Sequence, residues 1–171
     1  EQAGGQITVY SEVGTGTRFR ILLPRVEAPP AVTAARAGAS ATRARPGEVV
    51  LVVEDDSAVR DVARRVLTRQ GYTVLEARTG KEGLATVRSR KGAVDLVVTD
   101  MVMPEMSGPE LATRLRTEFP ELRIMFMSGY SRDATRELLP FETGTAYLEK
   151  PFAPARLARQ VRELLDREAG E

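Results

Sequence analysis

Five short apolar runs, separated by segments whose apolar residues recur at helical spacing, leave the larger part of this chain few ways to fold. The runs are VVLVVE (49–54), YTVLEA (72–77), VDLVVTD (94–100), LRIMFMS (122–128) and AYLEK (146–150). The first, third and fourth are almost continuously apolar, as strands covered on both faces are. Between them Val59, Val62, Ala63, Val66 and Leu67 lie on one helical stripe that stops at Gly71. Leu84 with Val87, Leu111 with Leu115 after Pro109, and Leu157, Val161, Leu164 and Leu165 mark three more helices, and 131–139 reads as another. This alternation predicts an α/β fold, a doubly wound parallel sheet whose ligand crevice lies at the carboxyl ends of the strands.

Upstream the text changes. Residues 26–46 read VEAPPAVTAARAGASATRARP, with almost no large apolar side chain, so burial cannot offset the entropy of ordering them and the segment reads as a flexible linker. In 6–24, ITVY and TRFRILLP flank the Gly-rich EVGTG, the pattern of two strands about a turn. Two strands alone are marginally stable in water.

Composition narrows the chemistry. The chain has no Cys and no His. That excludes disulfides, cysteine nucleophiles, imidazole bases, Ser-His triads and any phosphohistidine on this chain, and disfavours zinc. Carboxylates, hydroxyls and lysine remain. With 25 Lys and Arg against 24 Asp and Glu, no global field draws the chain to nucleic acid or an anionic membrane. No apolar run approaches the ~18–20 residues that span a bilayer, and the opening EQAGG lacks the regions of a signal peptide. A cytoplasmic location without membrane contact is expected.

On the expected scaffold Glu54, Asp55, Asp100, Ser128 and Lys150 all fall at the carboxyl end of a strand or in the turn directly after it, and so converge on one crevice. Each has an ordinary role when taken singly: Asp55-Asp56-Ser57 as a helix N-cap, Asp100 as a turn residue, Ser128-Gly129 as a strand exit, Lys150 as a solvated lysine before Pro151. Independent accident seldom produces their joint placement. Three carboxylates so close repel one another and raise their pKa values unless a cation joins them, and a hard ion such as Mg2+ suits oxygen donors. Asp100 is then the candidate nucleophile. A carboxylate can attack phosphorus to form an aspartyl phosphate when a metal and Lys150 neutralise the transferring group, and Ser128 can donate a hydrogen bond to a phosphoryl oxygen.

The segments VVLVVEDDSAVRDV, VVTDMVMPEMSGPEL, IMFMSGY and AYLEKPF together resemble the receiver domain of two-component response regulators, over 47–169. The Asp-x-x-Met-Pro-x-Met-x-Gly loop combined with a later Lys-Pro-Phe is the most specific part. The resemblance implies a flavodoxin-like fold of five parallel strands in the order 2-1-3-4-5. It implies that Asp100 is the phosphoacceptor, that Asp55 ligates Mg2+ (or Mn2+) directly, that Glu54 acts through a metal-bound water, and that Val102 offers its backbone carbonyl. Lys150 matches the family's lysine, joined to Pro151 by a cis bond. Ser128 matches the switch hydroxyl and Tyr147 the switch aromatic, which turns inward once the hydroxyl moves to the phosphoryl group, so that partners read the surface of the fourth and fifth strand-helix units. On the plainer reading Tyr147 is a half-buried strand aromatic and Met101, Met103 and Met106 are loop packing. Val102 and Tyr130 stand where the family tunes phosphoryl lifetime.

Residues 1–25 in turn resemble the end of a histidine kinase ATP-binding domain: GGQITVYSEVGTGTRFRILLP is similar to its closing Gly-x-Gly (Gly14, Gly16) and a Phe-containing strand ending in Leu-Pro. Kinase tail, linker (26–46) and receiver (47–171) follow the order of a hybrid histidine kinase. The chain is then expected to be its C-terminal part, without ATP binding or kinase activity, from a parent protein that can be membrane anchored. Residues 6–24 are expected to fray, or to dock their apolar side on the receiver or on a second copy. The leading function is a signalling module, monomeric or weakly dimeric, that catalyses its own phosphorylation from a histidine kinase or a His-containing phosphotransfer protein, and its own slow hydrolysis. An unphosphorylated protein-binding receiver is disfavoured by intact Asp100, Asp55 and Lys150. An aspartyl-nucleophile phosphohydrolase would place a second Asp where Val102 stands, and a flavin carrier's phosphate would be repelled by Glu54-Asp55-Asp56.

Overall fold

A computed structural model describes residues 6–22, 43–129 and 144–167. The chain divides into two compact units, 1–36 and 37–171. In the first, β1 (Gln6–Glu12) and β2 (Gly16–Leu22) pair antiparallel in a hairpin. Gly14 and Gly16 take positive φ at 82° and 107°, which turns the chain within EVGTG as the sequence predicts. The register sets Ile7 opposite Ile21 and Val9 opposite Phe19, so these four share one face. All fourteen strand residues are exposed.

The second unit carries the predicted alternation. Its strands β3 (Val49–Val53), β4 (Thr73–Ala77), β5 (Leu96–Asp100), β6 (Arg123–Ser128) and β7 (Thr145–Glu149) form one parallel sheet in the order β4-β3-β5-β6-β7. Counted within this unit, that is the expected order 2-1-3-4-5. The described helices are α1 (Ser57–Arg69), α2 (Gly80–Ser89), α3 (Gly108–Glu118) and α4 (Pro154–Asp166). The helix read over 131–139, Tyr130 and the greater part of the linker lie outside the described residues.

Period-two alternation along β3 explains why its run is apolar throughout. Val50 and Val52 join Leu67, Leu157 and Val161 on one side of the sheet, while Leu51 and Val53 join Leu84, Leu111 and Leu115 on the other. Three of the four described helices begin at a side chain that caps them, and α4 begins at Ala153 and Pro154 without one. Asp56 Oδ1 accepts from the backbone N–H of Ala58 and Val59 at 2.7 and 3.2 Å, Thr79 Oγ1 from Glu82 at 3.2 Å and Ser107 Oγ from Glu110 at 3.3 Å. The capping role read for Asp55-Asp56-Ser57 thus falls to Asp56 alone, and Asp55 is left for other work.

The amino ends of the strands are closed by a buried ion cluster that the apolar pattern does not announce. Arg162 on α4 donates from Nη1 and Nη2 to the two carboxylate oxygens of Glu48 at 2.6 and 2.9 Å, and from Nε to Asp166 at 2.9 Å. Its Nη1 also reaches the Tyr72 hydroxyl at 3.4 Å. Residues 43–46, the last of the segment read as linker, are held here: Ala44 N–H donates to the Gln70 carbonyl at 2.9 Å, and Arg45 pairs with Asp166 at 2.6 Å. Burial pushes the Glu48 carboxyl up, but the Arg162 and Arg45 hydrogen bonds outweigh it and hold Glu48 below the ordinary glutamate value. A depressed carboxyl stabilises the fold above its unfolded pKa and loses that contribution as pH falls through the folded one. Glu48→Gln should therefore cost about 2 kcal/mol at neutral pH. By urea unfolding, its gap from wild type should close as the solution is taken down to about pH 3.

Candidate functional site

Where β3, β5, β6 and β7 end, their chain-reversing turns bring five polar side chains to the carboxyl edge of the sheet. Glu54 and Asp55 follow β3, Asp100 closes β5, Ser128 closes β6 and Lys150 follows β7. Glu54 is buried with 1 % of its surface exposed, Asp100 is half-buried, and Asp55 is exposed. One carboxylate oxygen of each lies within 4.8 Å of the others. Lys150 Nζ enters from the opposite strand, 2.6 Å from Glu54 Oε2 and 3.1 Å from Asp100 Oδ1.

Electrostatics follow from this crowding. Burial, the largest influence, pushes the Glu54 carboxyl above the usual range; the Lys150 hydrogen bond opposes that, and the negative charge of Asp100 adds to it. Burial works against the Lys150 charge as well, yet its hydrogen bonds and ion pairs with Glu54 and Asp100 outweigh it and hold the ammonium above the ordinary lysine value. Lys150 is accordingly a permanent cation across the physiological range. Three carboxylates facing one ammonium leave negative charge in excess, and their oxygens are hard donors, so the set fits a hard divalent cation and not a soft metal.

The Asp100 carboxylate is held by more than Lys150. Its Oδ1 accepts from the Met101 backbone N–H at 2.8 Å. The loop beyond folds back tightly: Gly108 N–H donates to the Met101 carbonyl at 3.1 Å, and a Cβ at Gly108 would lie 2.2 Å from the Asp100 carbonyl oxygen. Met101, Met103 and Met106 are all buried, which agrees with loop packing. Glu105 takes a left-handed φ of 65° and pairs with Lys81 at 2.8 Å. The Val102 side chain is exposed.

Ser128 is buried beside the crevice, and its carbonyl accepts the Lys150 N–H at 2.7 Å. The peptide bond between Lys150 and Pro151 is cis. Tyr147 is half-buried, with its ring stacked on Phe126 at a centroid separation of 5.5 Å, and burial pushes its hydroxyl pKa up against the opposing charge of Arg116. The structure thus brings Glu54, Asp55, Asp100, Ser128 and Lys150 together, and sets Tyr147 two strand positions in from the end of β7, opposite Phe126.

Two contributors had no signal in the strand pattern. The Met101 N–H is backbone, which no side-chain motif reports. Arg60 donates from Nη1 to the Glu54 carbonyl at 2.7 Å and to the Asp55 carbonyl at 3.3 Å. Its place beside the apolar stripe of α1 reads as solvent-facing helix.

A parallel five-stranded sheet with acidic groups and a lysine at its carboxyl edge defines a class, and the comparisons agree with it. Residues 50–162 match the model of the response regulator receiver domain. The chain belongs to that family, and it is homologous to phosphoaccepting domains of two-component systems. It is 41 % identical over 98 % of its length to the sensor kinase CckA of Brucella abortus, of which it spans 18 %. A crystal structure of the receiver domain of the hybrid histidine kinase CckA is 38 % identical, covers 69 % of this chain and 99 % of its own, and superposes with a TM-score of 0.60. The response regulator TrrA of Thermotoga maritima, solved in complex with Mg(2+)-BeF, is 29 % identical with a TM-score of 0.58, over 68 % of this chain and 98 % of its own. Among the described residues no helix is long and apolar enough to cross a membrane.

Gly108→Ala should lower the unfolding free energy by about 3 kcal/mol, because the new methyl meets backbone and no flexible side chain can yield to it. Urea unfolding should show a reduced midpoint at unchanged slope.

Proposed function

We propose that Asp100 accepts a phosphoryl group from the phosphohistidine of a histidine kinase or a His-containing phosphotransfer protein. Mg2+ or Mn2+ would be held by Glu54, Asp55, Asp100 and the Val102 carbonyl. The observation that carries this reading is the contact of Asp100 Oδ1 with Lys150 Nζ at 3.1 Å inside the three-carboxylate group. With Oδ1 tied to Met101 N–H and Lys150, Oδ2 attacks phosphorus in line. The bond from phosphorus to the donor's imidazole nitrogen breaks as the new oxygen–phosphorus bond forms, and its electron pair stays with the departing imidazole. Lys150 stabilises charge on the equatorial oxygens, and Ser128 donates its hydroxyl to one of them. When bound, the metal neutralises further charge on the transferring group.

Ser128 then acts as the switch hydroxyl and Tyr147 as the switch aromatic, coupling phosphorylation to the surface around β6 and β7. The stacking of Tyr147 on the Phe126 ring and its electrostatic coupling to Arg116 support this role. The donor protein approaches beside an apolar hollow lined by Ala58, Val59, Val62, Pro151 and Phe152 next to Lys150. Val62 is 45 % exposed there, and a partner helix laid over it would shield the transfer from water. The likeness to a sensor kinase over nearly the whole chain, hairpin included, supports reading 1–25 as the end of a kinase ATP-binding domain, 26–46 as a linker and 47–171 as the receiver.

Incubation with acetyl phosphate and Mg2+ should add one phosphoryl group by intact mass, and Asp100→Asn should abolish the gain. No gain in wild type would favour an unphosphorylated binding module. Val62→Asp should slow transfer from a phosphorylated His donor about tenfold, the equivalent of 1.4 kcal/mol, while leaving labelling by acetyl phosphate unchanged.

A further inference from the structure

We infer that Arg60 is a positioning residue for the acidic turn, holding the backbone of Glu54 and Asp55 so that both carboxylates are presented to a divalent cation. The inference rests on the metal-binding reading above and adds the group that makes the turn rigid. Arg60 sits on the first turn of α1, and its own N–H donates to the Asp56 carbonyl at 3.0 Å. From there its Nη1 reaches back to two successive carbonyls, those of Glu54 at 2.7 Å and Asp55 at 3.3 Å. Arg60 satisfies both carbonyls where a disordered turn would leave them to water.

The side chain is itself held. It is 11 % exposed, and its Nε lies 3.6 Å from Glu76 Oε2 on the neighbouring strand β4. Glu76 also meets Arg64 at 3.5 Å, so the anchor is shared with the next turn of α1. The turn is thereby fixed from three sides: by Arg60 at its carbonyls, by Asp56 N–H donating to Glu54 Oε1 at 3.3 Å, and by Lys150 on Glu54 Oε2. Among the described residues the Asp55 carboxylate has no hydrogen-bond or ion-pair partner of its own. Its direction is set by its backbone, and that backbone is what Arg60 grips. Groups that orient ligands without touching the ion typically change metal affinity about 10- to 100-fold when removed. Lysine has a single side-chain nitrogen, which cannot hold the two carbonyls and also reach Glu76 as Nη1 and Nε of Arg60 do together.

The test is Mg2+ titration by isothermal calorimetry on wild type, Arg60→Met, Arg60→Lys and the control Arg64→Gln. Thermal unfolding of each metal-free protein accompanies it. Arg60→Met should weaken Mg2+ about tenfold, Arg60→Lys should recover only part of the loss, and Arg64→Gln should bind as wild type does. With acetyl phosphate the Mg2+ concentration for half-maximal labelling should rise in step, while the rate at saturating Mg2+ stays within about twofold. Wild-type affinity in Arg60→Met would overturn the inference, whereas absence of Mg2+ binding by wild type would overturn the metal-site reading beneath it. If Arg60→Met also lowers the melting temperature by more than about 4 °C, Glu76→Gln decides. It leaves the carbonyl contacts in place but removes their anchor. A weaker Mg2+ affinity there supports the positioning role, and unchanged affinity contradicts it.

Discussion

A glutamate with 1 % of its surface exposed cannot stay ionised without a cation against it, and Lys150 Nζ at 2.6 Å is that cation for Glu54. Losing Lys150 would leave the buried Glu54 charge unanswered, a cost of several kcal/mol. The pair spans the sheet from the end of β3 to the end of β7, and Asp100 on β5 stands between them, 3.1 Å from the same ammonium. Three strands remote in sequence are therefore tied at their carboxyl ends by one charged contact. The electrostatics that hold the edge together also leave it with negative charge in excess, which a hard divalent cation complements.

The opposite edge is built differently. Glu48, Tyr72, Arg162 and Asp166 close the amino ends of the strands in a network with bidentate geometry, which fixes α4 against β3 and β4. Balanced ion pairs lie on that side, while the acidic edge holds unbalanced charge. That division suits a switch. On the proposed reading, the part that would change on phosphorylation is kept apart from the ion cluster at the amino ends.

Much of this was legible in the residues because strand runs and helical stripes report burial directly. β3, β5 and β6 are continuous apolar text because helices cover both faces, and Gly71 ends α1 at a φ of 96°. The convergence of Glu54, Asp55, Asp100, Ser128 and Lys150 followed from strand ends alone, since parallel strands bring all their carboxyl termini to one edge. Three features were not legible. The capping role is read across Asp55-Asp56-Ser57 together, and only geometry assigns it to Asp56 alone. Arg60 and Arg162 are charged residues on helix surfaces, where exposure is the usual outcome. Residues 43–46 have linker composition, yet Ala44 and Arg45 are held by contacts with residues far along the chain.

The central claim is that Asp100, and no neighbouring carboxylate, forms the acyl phosphate. Borohydride reduction of the phosphorylated protein converts an aspartyl phosphate to homoserine, which peptide mapping by tandem mass spectrometry locates. Homoserine at position 100 alone, formed only when Mg2+ is present, is the predicted result. Homoserine at Asp55 or Asp56, or a phosphorylated protein with Asp100 unreduced, would contradict the account.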